Sequence, residues 1–289
     1  MLFLLLACAP ADPASAADDS SPVEDPGPQP APLAELSSGA CPVEGSRSYS
    51  ITSNGLERNV YYYMPENPPA GLPVLFYFHP LGGTASQMNS YLDLQGWAEE
   101  NQVIVIAPNA QANNTFEWDF WNGKDDDLVL FDDLRTCAVN ELGADIRRMY
   151  ASGMSAGGLW TSFLGTRRGD SLASILPFSG GDGSLYTYET PAYPFPALLA
   201  YGGDSDTWGG GGVEVDFQEA TLQFAAELDA DGHDVVLCNH NGGHTLPRET
   251  MEITTNWLLG QVYGQPSPFA EGLSGFPDWC DMGPEPIER

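Results

Sequence analysis

The sequence predicts an α/β fold: a mostly parallel, twisted sheet of about eight strands covered by helices on both faces, with no large lid. Three observations predict it. Apolar runs rich in β-branched and aromatic residues alternate with helical patterns along residues 41–289. Several of those runs are apolar throughout rather than at every second position, as strands buried on both faces must be. A serine flanked by glycines stands between one such run and a helix.

In chain order, residues 48–52 and 59–64 read as an antiparallel hairpin around Asn54-Gly55, a two-residue turn signal. Residues 73–79 (PVLFYFH) and 102–107 (QVIVIA) are buried strands, separated by an amphipathic helix over 86–101 with Ser86 near its cap. An aromatic-rich loop precedes a helix over 128–142. Residues 148–152 form the next strand and 156–168 the helix after it. Further strands fall at 174–179, 197–201 and 234–238, with helices over 213–231 and 250–261. In open sheets of this kind ligands sit at the carboxyl ends of the strands, so side chains following each run are the candidates for chemistry.

The ends of the chain read differently. Residues 1–8 are apolar and too short to span a bilayer. They resemble the end of a signal peptide, and Leu5-Leu6-Ala7-Cys8 resembles a lipobox in which Cys8 is lipidated. An ordinary signal peptide is the alternative, and the missing basic segment points to a start upstream of Met1. Residues 9–40 are Pro, Ala, Ser and acidic residues with almost no large apolar side chain, which predicts a disordered, extended spacer. Ten Lys and Arg against 40 Asp and Glu give a formal charge of −30, which excludes binding to a phosphate backbone or an anionic membrane surface. The expected protein is therefore secreted or held at the cell surface, touching a membrane only through Cys8, and monomeric. Apart from Cys8 the cysteines are Cys41, Cys137, Cys238 and Cys280, an even number that suggests two disulfides with three possible connectivities. The pairing expected is Cys41–Cys280, tying the two ends, with Cys137–Cys238. No spacing suggests a metal site, and no cofactor is implied. Asp125-Asp126-Asp127 reads as a solvated acidic loop rather than a calcium site.

The chemistry gathers at three strand ends. Gly153-Met154-Ser155-Ala156-Gly157 places Ser155 in a G-x-S-x-G turn from strand to helix, the tight turn that stands a nucleophilic hydroxyl clear of a sheet. Asp206 follows the strand at 197–201, and His244 follows that at 234–238 in Gly242-Gly243-His244. The order Ser155, Asp206, His244 is that of an α/β-hydrolase triad: His244 takes the serine proton, and Asp206 holds the imidazole tautomer and its positive form. Asp204 is the rival acid and His240 the rival base, while His233 is expected at the surface and His79 as a loop brace. The backbone N–H of Ala156, at a helix start, and that of Leu81, after the strand at 73–79, are the candidate oxyanion-hole donors. Pro80 has no N–H to offer. Phe116, Trp118, Phe120 and Trp121, with Trp208 beside the acid, form either a stacking platform for a sugar or aryl group or plain loop packing.

These motifs resemble a known group. Asp132-Asp133-Leu134 followed by Asp145-Ile146-Arg147-Arg148-Met149-Tyr150-Ala151-Ser152-Gly153-Met154-Ser155-Ala156-Gly157-Gly158 is similar to the DD…DPxRVYVTGxSxGG segment of the secreted polyhydroxybutyrate depolymerase, feruloyl esterase and acetylxylan esterase group of α/β-hydrolases. Gly242-Gly243-His244-Thr245-Leu246-Pro247 resembles its GGHxWP, with Leu246 for Trp. Residues 201–208 resemble its HGxxDxxV, with Tyr201 for His and one extra residue. His79-Pro80-Leu81 stands where the group has His-Gly-Cys or similar. The resemblance spans about residues 45–259. It implies a secreted serine carboxylesterase acting through an acyl-enzyme on feruloyl or acetyl esters of plant polysaccharide, with a polyhydroxyalkanoate as the alternative substrate. A reading of another class is a catalytically idle surface protein that binds carbohydrate.

Overall fold

The structure, a computed structural model, describes residues 27–42, 48–111, 114–210 and 212–287. The hairpin of β1 (Tyr49–Ser53) and β2 (Leu56–Tyr63) turns through Asn54 and Gly55 at φ 48° and 76°, the positive pair that a type I′ turn needs. Then come β3 (Val74–Phe78), α1 (Ala85–Leu92), α2 (Leu94–Asn101), β4 (Ile104–Pro108), α3 (Asp126–Leu142), β5 (Met149–Met154) and α4 (Ala156–Arg168). The second half comprises β6 (Ser174–Phe178), β7 (Ala197–Tyr201), β8 (Thr207–Gly210), β9 (Val213–Asp216), α5 (Phe217–Ala230), β10 (Val235–Asn239), α6 (Thr250–Leu258) and β11 (Cys280–Met282).

Nine strands form one sheet in the order β1-β2-β4-β3-β5-β6-β7-β10-β11; the six from β4 to β10 are parallel and the edges antiparallel. Every residue of those six central strands is buried. Their side chains alternate between two layers, as the pleat requires. Along β3, Val74, Phe76 and Phe78 lie in the layer that also holds buried residues of α3, α4 and α5, whereas Leu75 and Tyr77 lie in the layer with those of α1, α2 and α6.

Several expectations are corrected. The helix over 86–101 is two helices, because Asp93 takes a left-handed φ of 51° and its carboxylate accepts the N–H of Gly96 to start the second. The first residues of the helix over 213–231 are instead β9, paired with β8 in a separate hairpin, and α5 begins after its cap Asp216. The disulfides are Cys41–Cys137 and Cys238–Cys280. The second joins directly opposed residues of β10 and β11, a register set by a three-residue strand with no periodicity to read. Cys8 and residues 9–26 lie outside the described residues.

Residues 27–40 are not a free spacer. An extended Pro-rich chain leaves its carbonyls open to outside donors, and here α3 supplies them. Buried Arg135 donates to the carbonyls of Ala31 and Pro32, Thr136 donates to that of Ala34, and Asp133 accepts the N–H and hydroxyl of Ser37. Cys41 then ties this strap to α3. Among the described residues no helix is long and apolar enough to cross a membrane.

Candidate active site

Ser155 sits between β5 and α4 at φ 59° and ψ −122°, a sparsely populated backbone region held by its surroundings. Its N–H donates to the Phe178 carbonyl at the end of β6 (3.0 Å). The flanking glycines follow from close approach. A Cβ on Gly157 would lie 2.2 Å from the Phe78 carbonyl oxygen, and one on Gly153 would lie 2.6 Å from the same atom. The turn is therefore pressed against the end of β3.

Two further loops converge on it. His244 Nε2 lies 2.9 Å from Ser155 Oγ, and His244 Nδ1 lies 2.7 Å from Asp206 Oδ1. The loops after β7 and β10 cross so tightly that a Cβ on Gly202 would meet the Gly243 carbonyl oxygen at 2.0 Å, while Gly243 itself takes φ 73°. This explains glycines at both positions, since a Cβ at 202 would collide with backbone and 243 takes a left-handed φ that glycine adopts most readily. Asp206 has no exposed surface, and its other oxygen accepts from Ser179 Oγ (2.9 Å) and the N–H of Gly202 (2.8 Å). The rivals fall away by position. Asp204 is exposed and accepts from Gln218. His240 turns towards Trp279 and accepts the N–H of Gly242, and burial lowers its pKa. His233 is buried against Phe195 rather than at the surface.

The loop after β3 is braced from beneath. Buried His79 donates through Nδ1 to the Pro80 carbonyl (2.8 Å) and accepts the Ala110 N–H at Nε2 (3.0 Å). Accepting at Nε2 requires the neutral ring, and burial lowers its pKa in the same sense. Trp118 Nε1 donates to the His79 carbonyl, Gly83 N–H to that of Pro80, and Gly82 N–H to Glu117. The N–H groups of Leu81 and Ala156 donate to no acceptor among the described residues.

No protein-family model matches the chain. It is 28% identical over 127 residues to Feruloyl esterase B of Thermothelomyces thermophilus, covering 42% of this chain and 43% of that protein. It is 24% identical over 179 residues to the bifunctional acetylxylan esterase/xylanase XynS20E of Neocallimastix patriciarum, covering 61% and 26%. The chain thus spans less than half the length of these curated relatives. The crystal structure of native sOPH superposes with a TM-score of 0.67 at 18% identity, covering 84% of this chain and 97% of that one. The fold is that of an α/β-hydrolase.

On this fold the aromatic residues divide between packing and surface. Trp118 is fully buried, stacked on Trp160 and bonded to His79, so it braces the loop and offers no face to a ligand. Phe116 is buried between Trp121, 39% exposed, and half-buried Trp208, with ring centroids 5.4 and 5.7 Å away. Asp127 is no solvated residue: it is buried in an ion pair with Arg58, and burial raises its carboxyl to about 6 despite that partner. Among the described residues no group of three or more His, Cys, Asp or Glu side chains could hold a metal ion. Sequence reasoning missed Ser179 and Phe217. Ser179 carried a faint signal, a polar residue between a buried run and Gly180-Gly181; Phe217 carried none.

Proposed function

We propose that the chain is a secreted serine carboxylesterase acting on feruloyl or acetyl esters of plant polysaccharide. The observation that carries this is the hydrogen-bonded line from Ser155 through His244 to Asp206. In the proposed reaction Ser155 Oγ attacks the ester carbonyl as His244 Nε2 takes its proton. The carbonyl oxygen, now negative, receives the N–H groups of Leu81 and Ala156. Collapse expels the alcohol, which leaves with the proton from His244, and an acyl group remains on Ser155. Water attacks that ester while His244 accepts its proton, and the acid departs as the proton returns to Ser155.

The substrate class rests on the similarity to a feruloyl esterase and an acetylxylan esterase and on the partly exposed rings of Trp121 and Trp208, backed by buried Phe116, which offer an aromatic edge to an aryl acid or a sugar ring. Two disulfides suit an oxidising compartment, and Cys8 would supply the lipid anchor at the cell surface. The test is hydrolysis of p-nitrophenyl acetate and methyl ferulate by the full chain beside Ser155→Ala. Turnover that falls by about 10⁴-fold or more in the variant supports the triad, and methyl ferulate turned over faster than the acetate supports the aryl assignment. A folded wild type that hydrolyses neither ester and takes up no fluorophosphonate sinks the esterase reading and favours a carbohydrate-binding protein.

A further inference from the structure

Ser179 is fully buried at the end of β6 and takes φ 47°, the left-handed region. A glycine adopts that backbone more readily than any L-residue, and the next two positions are Gly180 and Gly181. A serine held there is useful only through its side chain, and the side chain has one partner: Oγ donates to Asp206 Oδ2 at 2.9 Å. The backbone leaves it little freedom. Ser179 N–H is tied to the Ala200 carbonyl of β7 at 2.7 Å, and a Cβ on Gly158 in α4 would meet the Ser179 carbonyl oxygen at 3.1 Å. The Gly180 carbonyl is held by Thr221 of α5 and the Gly181 N–H by Ser162 of α4.

Asp206 itself is wholly removed from water. A buried carboxylate keeps its orientation when donors occupy both oxygens. Oδ1 is committed to His244, so orientation about the carboxylate depends on Oδ2, where Gly202 N–H and the Ser179 hydroxyl converge from two different loops. One residue earlier on the same strand, the Phe178 carbonyl accepts the N–H of Ser155. The end of β6 therefore touches the backbone of the serine and the carboxylate of the acid at consecutive residues.

We infer that Ser179 is a positioning residue of this site, a buried hydroxyl that fixes the Asp206 carboxylate in the plane where it holds His244 against Ser155. The inference rests on the esterase reading for its kinetic consequence but not for its structural one. Three variants separate the two: Ser179→Gly, which removes the hydroxyl and relieves the backbone, Ser179→Ala, and Ser155→Ala as the inert reference. Ser179→Gly is expected to melt no lower than wild type, yet to lose about tenfold in kcat on p-nitrophenyl acetate with KM unchanged, as expected when a hydrogen bond to a charged group is lost. Ser179→Ala is expected to lose the same factor. The low-field proton resonance of the His244–Asp206 hydrogen bond is expected to move in both variants and to stay in place in Ser155→Ala. A Ser179→Gly protein with wild-type kcat and an unmoved resonance overturns the inference. If wild type proves inert, the esterase reading fails separately and the resonance alone decides the role of Ser179.

Discussion

The ring of Phe217 lies nearly parallel to the imidazole of His244, centroids 4.5 Å apart and planes 20° apart. Phe217 is itself buried, and its N–H donates to the Asp206 carbonyl, so the first residue of α5 touches both partners of the serine. A flat face under an imidazole limits its rocking and attracts the ring once it is protonated. Phe217→Leu keeps an apolar side chain but removes that face. The expected outcome is a several-fold drop in kcat with a melting temperature within a few degrees of wild type, read by steady-state kinetics and calorimetry.

The close approach of the serine turn to β3 is equally testable. A Cβ on Gly157 would fall 2.2 Å from the Phe78 oxygen and 2.7 Å from that of His79, and both are backbone atoms that cannot swing aside. Gly157→Ala is therefore expected to cost about 3 kcal/mol or more of stability, measured as a lower urea midpoint. An unchanged midpoint would mean that the turn is looser than this packing.

The two cross-links close loops of different size, with sequence separations of 96 for Cys41–Cys137 and 42 for Cys238–Cys280. On the chain-entropy account they contribute about 4.7 and about 4 kcal/mol respectively. Replacing Cys41 and Cys137 together by serine is expected to lower stability more than replacing Cys238 and Cys280. Non-reducing peptide mapping checks the pairing directly.

Burial, and then the neighbouring Asp182 carboxyl, push Glu227 up to about 7, and burial raises Asp182 as well. Two neighbouring carboxyls repel when both are charged, which favours a proton on one of them. The folded state thus holds a proton that the unfolded chain releases above about 4.5. Where the folded state binds more protons, stability falls as pH rises. Its loss is expected across the window from about 4.5 to about 7, and Glu227→Gln should flatten that part of the profile. Urea midpoints at pH 5 and pH 8 for the two proteins measure it, and parallel profiles would count against the pair.

Much of the fold was legible because burial on both faces leaves a continuous apolar run, and β3, β4, β6, β7 and β10 each carry one. The short strands β8, β9 and β11 were not, since their residues have no apolar period and exist as strands only through their partners. At the site, Ser155, Asp206 and His244 were legible from glycine spacing and chain order, both local properties of the sequence. The sequence favours Asp206 over its rival Asp204 and His244 over its rival His240. A separation of two residues (204 and 206) or four (240 and 244) does not by itself say which side chain turns inward; the crossing of the loops at Gly202 and Gly243 brings Asp206 and His244 together.

By itself the sequence determined the α/β layering, the glycines of the serine turn and the acidic balance, because backbone sterics, periodicity and charge count act within a few residues of chain. Tertiary structure alone decided the disulfide partners, the docking of residues 27–40 on α3, the burial of Trp118 and the meeting of Ser179 with Asp206, 27 residues apart in sequence. Each of these is a contact between segments with no local preference for one another, fixed only when the sheet closes and leaves a buried donor or acceptor one remaining partner.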